Sequence, residues 1–276
     1  MKRHLRIPLF LLISLLNSLA SYASNEMSFH QLGVKTGMSD NYIQAIERDK
    51  YGFMWFATRD GLNRYDGYHF KTYTTLRQGA YNNSVEWVAE DAAGNIWIKT
   101  PVNYCFYDRE MDELDNRTEL LLHKIGIFES PRQLFIDDDK NLWCVADNTL
   151  YYYIFSDETL YKQSLPGSVN IADMACRNKR CYILMTDGNV INIDWMHKSI
   201  TKLFHTEIHT TYMPHIYLDF SSRLWVYAPH SADVKCYSLT ENNWIDFAAR
   251  TELSRERTMI TTITDDGKGN IWIGTD

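Results

Sequence analysis

Residues 43–67 read IQAIERDKYGFMWFATRDGLNRYDG, in which an apolar stretch runs into an acidic turn and then into a second stretch centred on Trp55. Asp49 and Gly52 are typical turn residues, because an Asp side chain can bond the backbone two residues on and Gly accepts positive φ. The pattern predicts four short strands: one beginning at Ile43, then Met54–Thr58, Leu62–Tyr65 and Phe70–Tyr73. One copy of the pattern is therefore one antiparallel meander.

The same pattern occurs six times. Its central aromatics are separated by 42, 46, 39, 43 and 47 residues and are Trp55, Trp97, Trp143, Tyr182, Trp225 and Trp272. This period is typical of β-propeller blades and not of helical or leucine-rich repeats. In every copy but the fourth, an Asp lies six residues before the Trp. We therefore predict an all-β fold, a β-propeller of four-stranded antiparallel blades with six repeats visible.

The fourth and sixth repeats depart from the pattern. The fourth lacks both the Asp and the Trp, and it is assigned from the spacing around Tyr182. The sixth stops at Asp276, directly after its second strand. We expect this last repeat to be truncated and the chain to be the front portion of a longer protein, because soluble proteins avoid exposed sheet edges and unpacked faces.

The repeat tryptophans are predicted to be buried wedges between blades. A single blade cannot bury both apolar faces of its sheet, so blades are stable only when they stack around an axis. A large aromatic buries roughly 150 to 250 Å². We prefer this role for all five repeat tryptophans over that of a stacking platform for a ligand.

Residues 1–23 have the features of a secretory signal peptide. Lys2, Arg3 and Arg6 form its basic start, Ile7–Leu19 its apolar run, and Ser21-Tyr22-Ala23 its cleavage site. The apolar run is shorter than the roughly 20 residues that span a bilayer. The sequence thus predicts a periplasmic protein with residues 24–276 as an N-terminal, incomplete propeller region.

The mature chain is acidic. Cleavage of the signal peptide takes the net charge from −7 to about −10, and no basic stripe remains. An acidic surface disfavours nucleic acid and anionic membranes as partners. Neutral ligands, cations or proteins fit better.

The sequence gives little indication of a metal site, a cofactor site or reactive cysteines. The segment from Asp137 to Asn141 begins like a calcium-binding loop, but the next residue is Leu142 where such a loop has Gly. We therefore predict no metal at this segment. We also predict no cofactor. Nothing in the chain indicates a catalytic residue. Cys105, Cys144 and Cys236 are predicted to be core thiols, and Cys176 and Cys181 could pair across a hairpin.

The first repeat resembles a known family. Its order is Gly37-Met38-Ser39, Ile43-x-x-Ile46-x-x-Asp49-x-x-Gly52-x-Met54-Trp55-Phe56-x-Thr58-x-Asp60-Gly61-Leu62-x-x-Tyr65-Asp66-Gly67, then Phe70-x-x-Tyr73. This order closely resembles the two-component regulator propeller repeat. The likeness is strong in copies one, two and six, moderate in three and five, and weak in four.

The resemblance implies the periplasmic sensor region of a hybrid two-component system of the Bacteroidetes type, in which this chain would be part of a seven-bladed propeller. It implies an oligosaccharide ligand, signalling across the inner membrane through a C-terminal segment outside this chain, and a parent protein that is a histidine kinase. It also allows a homodimer of the full-length receptor. The chain itself is expected not to be an enzyme.

A ligand is expected at the loops that join consecutive blades and that join second to third strands, because loops on a rigid scaffold are the usual binding elements. Sugar binding needs planar amides, carboxylates and an aromatic face. The predicted ligand-binding residues are Asn41, Tyr42, Arg59, Asp60, Tyr81, Asn82 and His215.

Two other functions stay open at this point. One is an exported propeller enzyme acting on polysaccharide, either a lyase or a glycosidase, since carboxylates from different blades could converge. The other is a protein-interaction scaffold. Turnover by the exported region would favour the first, and capture of a protein partner without sugar binding would favour the second.

Overall fold

The computed structural model describes residues 30–74, 83–166, 170–208, 212–229, 231–246 and 259–275. These residues form five four-stranded antiparallel sheets and one two-stranded sheet. Chain order equals spatial order in every sheet, so each is a meander. The predicted all-β propeller architecture is confirmed; the number of blades in the closed propeller stays a prediction. The signal peptide predicted for residues 1–23 lies outside the described residues.

We number the sheets as blades 1 to 6. Blade 1 contains β1 (Ile43–Arg48), β2 (Met54–Thr58), β3 (Gly61–Tyr65) and β4 (Phe70–Tyr73); blade 2 contains β5 (Trp87–Glu90), β6 (Ile96–Lys99), β7 (Tyr104–Asp108) and β8 (Glu113–Asp115). Blade 3 contains β9 (Pro131–Ile136), β10 (Leu142–Ala146), β11 (Thr149–Ile154) and β12 (Thr159–Ser164); blade 4 contains β13 (Ile171–Arg177), β14 (Arg180–Met185), β15 (Asn189–Asp194) and β16 (Ser199–His205). Blade 5 contains β17 (His215–Leu218), β18 (Arg223–Tyr227), β19 (Val234–Ser238) and β20 (Asn243–Ile245), and blade 6 contains β21 (Ile260–Asp265) and β22 (Ile271–Thr275).

Among the described residues, helical structure occurs only in the connections outside the strands. One α-helix, α1 (Glu119–Leu122), and a 3-10 turn at His123–Ile125 join blade 2 to blade 3, and another 3-10 turn at Val34–Thr36 precedes blade 1. Leu122 and Ile127 of the first connection are buried in the core between these two blades. Within the part of the chain that the structure describes, no helix combines the length and apolarity that a membrane crossing requires.

The meander gives each blade two distinct ends. We call the end that carries the first-to-second and third-to-fourth strand turns the turn face; it includes residues 49–53, 91–95, 137–141, 178–179 and 219–222. We call the opposite end the loop face, which carries the second-to-third strand turns and the connections between blades. Because consecutive strands are antiparallel, every blade contributes to both faces in the same sense.

The core lies between blades. Five apolar clusters each join two consecutive blades, from the blade 1–blade 2 cluster around Trp55 to the blade 5–blade 6 cluster around Trp225. In each, the central aromatic of one blade packs against the next blade. Trp55, Trp97 and Trp143 are at most 1% exposed. Tyr182 has the same position in blade 4, which confirms the assignment of the fourth repeat from spacing.

Trp272 is the exception, and the prediction that it is buried was wrong. Its side chain is 62% exposed. The reason is positional, because each repeat aromatic is covered by the blade that follows it, and within residues 30–275 as described no blade follows β22. Burial of this residue is therefore a property of its neighbour and not of its own repeat.

Candidate ligand-binding face

A buried polar network fixes the loop-face end of blade 1. Asn63 and Thr58 are both fully buried. Asn63 Oδ1 accepts the backbone N–H of Ser39 at 3.0 Å, and Asn63 Nδ2 donates to Ser39 Oγ at 2.8 Å. Thr58 Oγ1 donates to the carbonyl of Gly61 at 2.8 Å. Because an unpaired buried polar group is costly, these bonds hold the segment before β1 and the β2–β3 turn together.

Gly61 closes that turn in a conformation only glycine adopts easily. Its φ is +114°, and a Cβ at this position would lie 2.8 Å from the carbonyl oxygen of Tyr73. Steric demand and backbone conformation therefore both require glycine here. The turn places Arg59 and Asp60 outward on the loop face, where both are exposed.

The exposed residues of this turn contact the two neighbouring loops. The Arg59 guanidinium lies over the Tyr42 ring, with its carbon 3.5 Å from the ring centroid. Asp60 Oδ1 accepts a hydrogen bond from Asn83 Nδ2 at 2.9 Å. A cation over an aromatic face stabilises both side chains. The result is a charged, aromatic and amide-bearing surface on blade 1.

Asn41 has a structural role in addition to its place on this surface. Its Oδ1 accepts the backbone N–H of Val34 at 2.9 Å and so caps the 3-10 turn before blade 1. Two other predicted residues, Tyr81 and Asn82, lie outside the described residues. The structure therefore brings together Asn41, Tyr42, Arg59 and Asp60 on blade 1.

His215 belongs to a different place on the loop face, at the boundary of blades 4 and 5. Its Nδ1 lies 3.0 Å from Oδ2 of Asp173, and the same carboxylate oxygen accepts the backbone N–H of Ile216 at 3.2 Å. Burial alone would lower the pKa of His215, but the hydrogen bond and negative charge of Asp173 outweigh it and raise this pKa above its ordinary value. The Asp173 carboxylate therefore favours the protonated form of the His215 ring.

Sequence reasoning missed Asp173, because its partner lies 42 residues away on another blade. The aligned positions at the start of β13 and β17 are the signal that could have found it. The structure thus divides the predicted site residues between a blade 1 group and the Asp173–His215 pair.

The turn face carries two cavities that the sequence did not indicate. One, of about 820 Å³, lies between blades 3 and 4 and is lined by Asn141, Phe155, Asp157 and Lys179 among others. Its neighbour, of about 540 Å³, extends to Arg177 on blade 4 and to blade 5. Both lie at the end of the propeller opposite to the predicted ligand residues.

The calcium-like segment has a structural explanation. Asp137 Oδ2 accepts the Trp143 indole N–H at 2.8 Å, and Asp137 Oδ1 accepts the backbone N–H of Asn141 at 2.8 Å. Burial raises the pKa of Asp137, and the bond from Trp143 opposes that rise. The carboxylate is thus committed to the turn and to the wedge tryptophan of its own blade.

Comparison with known proteins supports the sequence interpretation. Residues 37–60 match the two component regulator propeller family, which confirms the predicted resemblance for the first repeat. A 37-residue stretch is 51% identical to histidine kinase P4 of Formosa agariphila, covering 13% of this chain and 3% of that protein.

Solved structures show the same fold. The extracellular domain of a hybrid two-component system from B. thetaiotaomicron is 20% identical, with a TM-score of 0.58 over 89% of this chain and 34% of that chain. The extracellular domain of a one-component system from the same organism is 18% identical, with a TM-score of 0.61 over 90% of this chain and 36% of that chain. Virginiamycin B lyase from Staphylococcus aureus is 14% identical, with a TM-score of 0.56 over 87% and 79%. The chain therefore spans about a third of the length of the two extracellular domains and a small part of the histidine kinase.

Proposed function

We propose that this chain is the ligand-binding sensor region of a hybrid two-component histidine kinase, exported to the periplasm and detecting an oligosaccharide. The observation that carries the proposal is the match of residues 37–60 to the two component regulator propeller family. The likeness to the extracellular domains of a hybrid two-component system and of a one-component system agrees with a sensor-type propeller. Catalysis of phosphoryl transfer would belong to other parts of the parent protein.

Export to the periplasm agrees with a sensor function. It is inferred from the sequence of residues 1–23. Its basic start and short apolar run are those of a cleaved leader. The parent is proposed to be anchored in the inner membrane. Residues 24–276 then face the periplasm, where oligosaccharides from outside the cell are available.

The proposed ligand site is the loop face, with contributions from Asn41, Tyr42, Arg59, Asp60, Tyr81, Asn82 and His215. In blade 1, Arg59 stacks on Tyr42 and Asp60 bonds to Asn83, so a cation, a carboxylate and an amide are preset on a rigid turn. Preset polar groups lose less conformational entropy on binding than mobile ones. Sugar hydroxyls both donate and accept hydrogen bonds, so they can use all three kinds of group.

Signalling would follow from differential affinity. An oligosaccharide shifts the placement of two receptor propellers or protomers only if it binds one arrangement more tightly than the other. We propose that a membrane segment carries that shift inward. An acidic mature surface is compatible with a neutral ligand and opposes nucleic acid as a partner.

Calorimetry with the exported full chain tests the proposal. A panel of neutral and acidic oligosaccharides is titrated, and the thermal midpoint is measured with each. Because ligand at 100 times Kd stabilises by about 2.7 kcal/mol, we expect a rise of roughly 5–10 °C with the cognate sugar. The bound sugar should be recovered unchanged. Cleaved sugar would favour a polysaccharide enzyme. No binding and no thermal shift with any sugar of the panel would favour a protein-interaction scaffold.

A further inference from the structure

Cys176 and Cys181 face each other across the first hairpin of blade 4. They are paired residues of β13 and β14, and their Sγ atoms are in contact at 2.7 Å. Both side chains are buried, at 3% and 0% exposure. They lie in the apolar cluster between blades 3 and 4.

The hairpin geometry places this pair where a cross-strand bridge fits. Its turn consists of Asn178 and Lys179, with φ of 52° and 59°, and Arg177 pairs with Arg180 to close it. Two central residues at positive φ define a type I′ turn, whose closing pair exchanges backbone hydrogen bonds. The next pair outward is then not hydrogen-bonded, with Cα atoms about 4.5 Å apart and side chains close together. That separation lies at the lower end of the roughly 4.4–6.8 Å found in disulfides.

The other cysteines have no comparable neighbour. Cys105, Cys144 and Cys236 are buried in three separate clusters, between blades 1 and 2, 2 and 3, and 5 and 6 respectively. Five cysteines can therefore give one intramolecular pair and three core thiols without conflict. The odd number is accounted for by the fold.

We propose that Cys176 and Cys181 form an intramolecular disulfide when the chain folds in an oxidising compartment. The two thiols lose two protons and two electrons, and the acceptor is the disulfide of a thiol oxidase or of oxidised glutathione. One thiolate attacks that disulfide and releases one thiol. The second cysteine then attacks the mixed disulfide and releases the other, so atoms and electrons balance.

The burial of the two cysteines determines when the disulfide can form. Desolvation and the contact with Cys181 raise the pKa of the Cys176 thiol, and thiols are poor nucleophiles compared with thiolates. The bond therefore forms while the hairpin is still exposed, before blade 3 packs over it. Once formed, it fixes the turn whose Asn178 lines both turn-face cavities.

Refolding tests the proposal independently of export. The full chain is unfolded, reduced, and refolded in a mixture of oxidised and reduced glutathione. The protein is then denatured without reductant, alkylated and digested, and the masses of its peptides are measured by mass spectrometry. We expect a peptide pair linked through Cys176 and Cys181, a mass about 2 Da below the reduced sum, and complete alkylation of Cys105, Cys144 and Cys236. Five alkylated cysteines, or a different linked pair, would overturn the proposal.

Matched variants show whether the bond stabilises the fold. C176V/C181V keeps apolar volume in the cluster and removes both thiols, while C236V is the control for loss of a buried thiol elsewhere. Reductant should lower the thermal midpoint of the C236V protein by several degrees. It should leave that of C176V/C181V unchanged, and equal shifts in the two variants would contradict the assignment.

The same mass measurement on protein taken from the periplasm separates this inference from the proposed function. The inference concerns the pairing, and only the place where the bond forms rests on export. A disulfide after refolding but five free thiols in cell-derived protein would leave the pairing supported and would argue against an exported sensor.

Discussion

The indole N–H of Trp143 donates to Oδ2 of Asp137 at 2.8 Å, and the two residues are separated by one hairpin turn. The same bond joins Asp49 to Trp55, Asp91 to Trp97 and Asp219 to Trp225. In each case the second carboxylate oxygen accepts a backbone N–H of the turn. One carboxylate thus shapes the turn and satisfies the only polar atom of the buried wedge.

Removal of one such carboxylate should be costly. Asp137→Ala leaves the Trp143 indole N–H and the Asn141 backbone N–H without their acceptor inside the protein. Since a buried unsatisfied donor costs about 1–3 kcal/mol, we expect unfolding by denaturant to become easier by roughly 2–4 kcal/mol.

Asp266→Ala is the matched control for this change. Asp266 bonds the turn through Asn270 but is exposed, and its tryptophan, Trp272, is exposed as well. The control should shift the denaturation midpoint far less than Asp137→Ala. Equal shifts would contradict the role assigned to the buried bond.

The β2–β3 turn of blade 1 gives a second prediction. Gly61 and Gly67 both have positive φ, but an added Cβ would meet the Tyr73 carbonyl only at Gly61 and would meet nothing within 4 Å at Gly67. Alanine at either site is strained by the positive φ, and at Gly61 its Cβ also clashes with the Tyr73 carbonyl oxygen. We expect Gly61→Ala to destabilise by about 1–3 kcal/mol more than Gly67→Ala, measured by urea unfolding.

Burial of the repeat aromatics gives a third prediction. Trp97→Ala should cost about 3–5 kcal/mol, because Trp97 is 1% exposed between blades 2 and 3. Trp272→Ala should have little effect on the isolated chain. In acrylamide quenching, the Trp272→Ala protein should lose the most accessible part of the fluorescence and keep a smaller accessible part from Trp244, which is 41% exposed. Quenching unchanged from that of the natural protein would contradict the exposed placement of Trp272.

Much of this architecture could be predicted from the sequence, since periodic strands and turns are local features. The strands of blade 1 were predicted to within a residue, with β3 starting at Gly61 and not at Leu62. The Asp–Trp spacing was noticed, yet its hydrogen bond was missed because the Asp was interpreted only as a turn residue. The exposure of Trp272 could not be predicted from its repeat, because burial depends on the following blade. The Asp173–His215 pair and the turn-face cavities were missed because they join residues of different blades.

The Asp173–His215 pair predicts a pH-dependent contribution to stability. The folded pKa of His215 is raised, so the pair stabilises fully below the unfolded value of about 6.5, and this contribution is lost as pH rises through the folded pKa. We expect the midpoint difference between the natural protein and His215→Gln to be larger at pH 6 than at pH 9.

Titration of the His215 ring by NMR provides the control for this interpretation. In Asp173→Asn the pKa of His215 should fall, because burial then acts without the opposing carboxylate. An unchanged pKa in this variant would assign the shift to another group.

Hydrogen exchange with mass spectrometry tests the central claim most directly. With the sugar that binds in calorimetry, we predict slower exchange at the loop face, in residues 39–42, 59–60, 83–86 and 212–216. The turn-face segments 139–141, 155–157 and 178–179, which carry residues that line the cavities there, should exchange as in the free protein. Protection confined to those turn-face segments would contradict a ligand site on the loop face, and with it the sensor arrangement proposed for this propeller.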